Sequence, residues 1–239
     1  MKRTSLVLAE SFGRSALRQP VFTALLLLPA AMGLLLRPLP AGLALAAPDF
    51  DPTPWMPLFL GIVAGFPPYL FGLLAGLMLL DERDRHLLPA LRATPISDRG
   101  LLTAKAAPAA LMAMIGTPIT LILSGKIADI PFGAVIASGL IAGPSTVFTA
   151  LIVTSLARNK VQGMTVSKIL GTLLAAPAAF LLAAEPWRYS FLVFPPAWIG
   201  AAFNHPEDWL LWSAGGFVYT GTLALLAGKA AMRRYFSLY

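Results

Sequence analysis

The chain has 239 residues, of which 57% are hydrophobic and 12% charged. An average soluble domain carries roughly 25% charged residues, so water cannot be the solvent for most of this surface. The net charge of +7 comes from basic residues that fall between apolar runs instead of forming one patch interleaved with aromatics, which argues against nucleic acid as a partner.

Cysteine is absent, which excludes disulfides, thiol catalysis and thiolate metal sites and leaves the redox compartment open. The two histidines, His86 and His205, lie far apart without ligand-spaced partners, so no metal site is expected. The expected fold class is all-α, a polytopic membrane protein forming a single permease domain over 1–239.

Residues 1–19 come first. Leu6, Ala9, Phe12, Gly13 and Leu17 recur at near-helical spacing among Lys, Arg and Ser, which predicts an interfacial amphipathic helix; a frayed basic tail is the alternative. A membrane domain over 20–228 follows, built on six apolar runs: Pro20 to Leu36, Trp55 to Leu80, Ala106 to Ser124, Ile130 to Leu156, Ile169 to Ala184 and Trp209 to Gly228. None contains Asp, Glu, Lys, Arg or His. A spanning helix needs roughly 20 apolar residues, so the first and fifth runs require their flanks. Residues 229–239 form a basic tail.

Within the second run, Gly61-x-x-x-Gly65 and Gly72-x-x-x-Gly76 offer small faces for close helix contact, with Pro67-Pro68 between them predicting a kink. Packing inside the subunit is favoured over a dimer seam. Gly139 and Gly143 repeat the spacing on the fourth span, and Pro29, Pro108, Pro118, Pro144 and Pro177 interrupt other runs. Between the last two spans, Ser190 to Phe203 is apolar, broken by Pro195-Pro196 and too short to cross. It is expected to re-enter or lie on the outer leaflet, with Trp187, Tyr189 and Trp198 as interface anchors.

Fifteen of the 18 basic residues fall in the N-terminal segment, the loops after the second and fourth spans, and the C-terminal tail; only Arg37, Lys126 and Arg188 fall on the other side. The positive-inside rule then places both termini in the cytoplasm of a multi-pass inner (plasma) membrane protein surrounded by membrane lipids. A cleaved signal peptide ending near Ala44-Leu45-Ala46 competes with the first span. The charged region before that run is too long for one, and cleavage would spoil the charge alternation.

The most informative stretch runs from Leu80 to Lys105. Charges begin at the bilayer exit with Asp81, Glu82, Arg83, Asp84 and Arg85, followed by Leu87, Leu88 and Leu91 and then Thr94-Pro95, a pattern for a short amphipathic helix ended by a turn. From the residues alone, a solvated loop with snorkelling basic side chains accounts for it equally well.

The stretch resembles the signature loop of type-2 permeases of ATP-binding-cassette (ABC) exporters, and among them bacterial fluoroquinolone-export permeases. The matching characters are Glu82, Arg85, Leu88, Leu91, Thr94, Pro95, Ile96, Ser97 and Lys105. His86-Leu87 stands where the family usually has Gly-Thr, and Ala104 precedes Lys105 where Gly is common.

The resemblance also covers the plan of an N-terminal interfacial helix, six spans and a membrane-dipping external segment. It implies that the loop is a coupling helix docking into a groove of a separate ATPase subunit, two copies per transporter. Asp81 to Arg85 would make charged contacts there, and Leu87, Leu88 and Leu91 would insert or pack beneath. It further implies a homodimer, or a pair with a similar permease. ATP and Mg would be used by the partner, and no cofactor would be bound by this chain.

The residues agree on the energy source. Charge-free spans offer no ionisable group for ion coupling, and the chain lacks a phosphate-binding G-x-x-x-x-G-K-[ST] motif: Lys229 is followed by Ala230, and Leu223 stands where the first glycine belongs. The expected function is therefore a permease, itself not an enzyme, that exports a hydrophobic or amphipathic cargo. A lipid-modifying enzyme using Glu185, His205, Glu207 or Asp208 is the competing reading, and a passive channel or assembly factor is a third.

Overall fold

A computed structural model describes residues 20–85, 97–128 and 130–236. The expected interfacial helix over 1–19, and Leu87, Leu88, Leu91, Thr94 and Pro95 of the expected coupling helix, lie outside them. The described residues form helices and turns without a strand: α1 (Pro20–Leu36), α2 (Leu39–Ala46), α3 (Met56–Asp84), α4 (Asp98–Ser124), α5 (Phe132–Leu156), α6 (Lys160–Thr172), α7 (Ala176–Leu182), α8 (Pro195–Asn204) and α9 (Trp209–Phe236). Helices satisfy every backbone group internally, which is the condition for crossing hydrocarbon.

Among the described residues, five stretches are long and apolar enough to span: Thr53–Asp84, Arg99–Ser124, Phe132–Leu156, Lys160–Leu182 and Trp209–Arg233. Leu27–Leu36 and Leu39–Ala46, bent by 42°, supply a sixth if the pair counts as one span. The protein is an all-α polytopic membrane protein.

Local signals explain several helix ends. Ser97 Oγ accepts from Gly100 N at 3.1 Å and Asn159 Oδ1 from Gln162 N at 2.8 Å, capping α4 and α6. Gly125, at φ 64°, ends α4 in the left-handed region that glycine tolerates best. Beside it, Arg37 Nε donates to Leu123 O at 2.7 Å, meeting one of the carbonyls that the helix end leaves without an internal partner.

The fold centres on α3 and α5, whose spans bury more of their surface than the others. Small residues allow that crowding. A Cβ on Gly72 would lie 2.6 Å from Thr149 Cβ and 2.7 Å from Thr146 O of α5, and one on Gly76 would lie 3.0 Å from Ala150 O. Gly61 and Gly65 serve a second contact: the same construction meets Pro177 of α7 at 2.7 Å and Pro196 of α8 at 3.3 Å. Several buried hydroxyls bond within the bundle, as where Thr146 Oγ1 donates to Ala142 O at 2.8 Å.

Several boundaries differ from the sequence expectations. The second span continues past Leu80 to Asp84, and α4 begins at Asp98 instead of Ala106, so much of the expected loop is helix. α3 is a continuous helix through Pro67 and Pro68. The fifth span starts at Lys160 and is broken at Leu173–Ala175 by a 3-10 turn.

The segment between the last two spans folds back onto the bundle: α8 buries Ile199, Ala201, Ala202 and Phe203. Trp187 and Tyr189 are exposed. Trp198 is not; its ring packs 5.5 Å from Tyr219 and 6.1 Å from Trp212 while Nε1 donates to Leu192 O at 2.8 Å.

Candidate functional site

The last turn of α3 meets the start of α4, the end of α5 and the start of α6 at one end of the bundle, and Leu79, Leu101, Leu151 and Ala231 of α9 close a cluster there. Successive side chains on a helix diverge by about 100°, so Asp81 to Arg85 reach different neighbours. Glu82 turns to α4, where Oε1 lies 2.6 Å from Lys105 Nζ with both side chains under one-fifth exposed. Its other oxygen, Oε2, is buried without a hydrogen-bond partner among the described residues.

Arg83 turns inward and is 4% exposed; its Nη2 donates to Ala157 O at 2.5 Å. That carbonyl belongs to the C-cap of α5, where the helix leaves acceptors unpaired and its dipole favours a cation. Asp84 does the converse at the next helix: Oδ2 accepts from the backbone N of Lys160, the first residue of α6, at 2.8 Å, where unpaired N–H groups favour an anion. One turn of α3 thus caps two other helices with opposite charges.

Asp81 completes the joint, 3.1 Å from Lys160 Nζ and 2.9 Å from Arg85 Nε. Arg85 is 68% exposed. Higher in the same interface, Tyr69 Oη donates to Ser167 O at 2.8 Å, tying α3 to α6 again.

Of the ten residues expected to contact an ATPase, five are therefore in view, and four of those five bond to other parts of this chain. The joint also enlists Lys160, Ala157 and Asn159, which the sequence reading did not single out. Asn159 two residues after Ala157 and ahead of Gln162 is a legible cap signal, whereas the reach of Arg83 to a main-chain carbonyl leaves no mark in sequence. The geometry makes a mechanical clamp: the segment 86–96 leaves from Arg85 and returns at Ser97, between helix ends fastened to one another.

Two of the acidic residues between the last spans, Glu185 and Glu207, have side-chain neighbours within the chain. Glu185 Oε1 lies 3.0 Å from Arg188 Nη1, and the Arg188 guanidinium stands 5.4 Å over the Phe180 ring. His205 stacks on Trp212 with ring centroids 5.2 Å apart, and its Nδ1 is 3.9 Å from Glu207. Before α3, Asp51 Oδ1 accepts from Thr53 N at 2.9 Å, which holds its carboxyl below the ordinary carboxylate range.

The family described as "Fluoroquinolones export permease protein Rv2686c-like" matches residues 13–227. Two relatives from Mycobacterium tuberculosis, the fluoroquinolones export permease protein MT2760 of strain CDC 1551 / Oshkosh and its counterpart Rv2686c of strain ATCC 25618 / H37Rv, are each 33% identical over 152 residues. The match covers 62% of this chain and 60% of each relative, so the chain spans less than two-thirds of their length.

Proposed function

This chain belongs to the Rv2686c-like family of fluoroquinolones export permeases, and on that premise we propose that it is the permease subunit of an ABC exporter. It moves an amphipathic or hydrophobic molecule, drug-like or lipid-like, out of the cell. A separate pair of ATPase subunits binds and hydrolyses ATP with Mg, and the permease works as a homodimer or beside a similar permease. The basic end of the bundle faces the cytoplasm.

The observation that supports this most is the clamp. A force applied to the segment between Arg85 and Ser97 is delivered to α3 and α4 directly; Glu82–Lys105 fastens those two helices to each other, and Arg83–Ala157 and Asp81–Lys160 carry it from α3 to the end of α5 and the start of α6. Packed helices joined in this way shift as units and not by local yielding, which is how a nucleotide-driven closure outside the membrane reaches the spans. Arg85, 68% exposed and paired with Asp81 at the surface, is a charged residue available to a partner.

The test is pull-down of the ATPase and cargo-stimulated ATP hydrolysis at equal membrane expression. Arg85→Glu combined with Leu91→Ala is expected to weaken both while leaving the bundle folded. Unchanged binding and unchanged stimulation would leave 86–96 as a mere connection and remove the coupling role.

A further inference from the structure

Towards the same end of the bundle, the helices α4, α5 and α9 part to leave an open groove of about 650 Å³. Its depth is apolar: Leu102 from α4, Leu151 from α5 and Ala224 from α9 are buried along it. Its lining also carries two cations, Arg99 of α4 and Lys229 of α9, with Thr103 of α4. No carboxylate lines it among the described residues. The volume lies within the ~300 to 1,000 Å³ of small-molecule sites.

Depth fixes what the cations face. From Trp209 to Gly228, α9 carries no charge, and at 1.5 Å per residue that stretch covers about 30 Å, the thickness of the hydrocarbon layer. Lys229 is the next residue, so its ammonium stands where lipid phosphates lie. Arg99, in the first turn of α4, lines the same groove.

We propose that this groove is a binding site for one anionic phospholipid of the leaflet at the basic end, with its phosphate between Arg99 and Lys229 and an acyl chain along Leu102, Leu151 and Ala224. The groove opens sideways onto an apolar surface, marked by Leu225 at 72% and Leu226 at 55% exposed, from which a lipid enters laterally. A second copy of the chain fits less well. A two-fold axis along the membrane normal would bring its own basic end against Arg99 and Lys229, and like charges there repel. A small soluble anion would satisfy the cations and leave the apolar depth empty.

The site goes beyond the export reading and does not depend on which subunit supplies ATP. The test is native mass spectrometry of the full chain released from detergent micelles containing phosphatidylglycerol and phosphatidylcholine of matched chains. Two basic side chains near an anionic surface correspond to about thirty-fold preference for phosphatidylglycerol. Arg99→Gln with Lys229→Gln is expected to abolish the preference.

Gly221 supplies the independent variant, because it lines the groove and a Cβ there meets nothing within 4 Å. Gly221→Leu is expected to fill the groove and reduce retention of both lipids, with all charges kept and the melting temperature unchanged. Equal retention of the two lipids by the native chain would overturn the proposal, as would a preference that survives the double variant. Loss of a dimer in Gly221→Leu with lipid retention unchanged would assign the groove to a second copy instead.

Discussion

Glu82 and Lys105 flank the segment that joins α3 to α4, and their contact is a partly buried ion pair of the clamp, 2.6 Å with side chains 17% and 18% exposed. Exposed pairs contribute ~0.2 to 1 kcal/mol, whereas removing one member of a fully buried pair costs ~3 to 5 kcal/mol. The burial of this pair lies between those limits, so Glu82→Gln should destabilise the protein by about 2 kcal/mol.

Lys105→Met should cost a similar amount. The double variant strands neither charge and should cost less than the sum, with a coupling of about 1 kcal/mol or more. Unfolding of the four proteins in one detergent measures the cycle, and the swap Glu82→Lys with Lys105→Glu should recover part of the loss. Additivity within ~0.3 to 0.5 kcal/mol would refute the pairing, and with it the fastening of α3 to α4 beside the segment 86–96.

The crowding of α3 against α5 predicts that Gly72→Ala destabilises by about 1 to 3 kcal/mol, because one of the atoms it meets is a helix carbonyl that cannot move aside. Gly42→Ala in α2, with nothing within 4 Å, should instead be neutral or stabilising by up to ~1 kcal/mol; thermal unfolding compares the two. Tyr69→Phe removes the tie to Ser167 and should cost ~0.5 to 1.5 kcal/mol in the same assay, with α6 rather than α3 gaining hydrogen exchange. For orientation, labels at Ser97, Asn159 and the C-terminus should react only from the cytoplasmic side, and labels at Asp51 and Asn204 only from outside; reaction of Ser97 in intact cells would reverse the topology.

The spans were legible because a charge-free run long enough to cross hydrocarbon has few other uses. The run from Pro20 to Leu36 and helix α1 have the same bounds. Helix ends in water were less legible. Asp81 to Asp84 look like a loop because they are charged, yet they extend α3 by a turn since each finds a partner on another helix.

Opposite charges at Glu82 and Lys105, either side of one short connection, are the trace that such a joint leaves in sequence. Trp198 shows the reverse problem. An aromatic residue beside a membrane-dipping segment reads as an interface anchor, but only tertiary contacts reveal that Tyr219 and Trp212 receive it. The groove beside Arg99 and Lys229 could not be read at all, because it is made by three helices that are distant in the chain.

The central claim is that cargo moves at the expense of ATP hydrolysed by a partner, and inside-out vesicles carrying this chain with its ATPase test it directly. Uptake of a fluorescent fluoroquinolone is expected to require ATP, to fail with the permease alone, and to continue after a protonophore has collapsed the proton gradient. Uptake that proceeds without ATP and stops with the gradient would contradict the account and make the protein a secondary carrier.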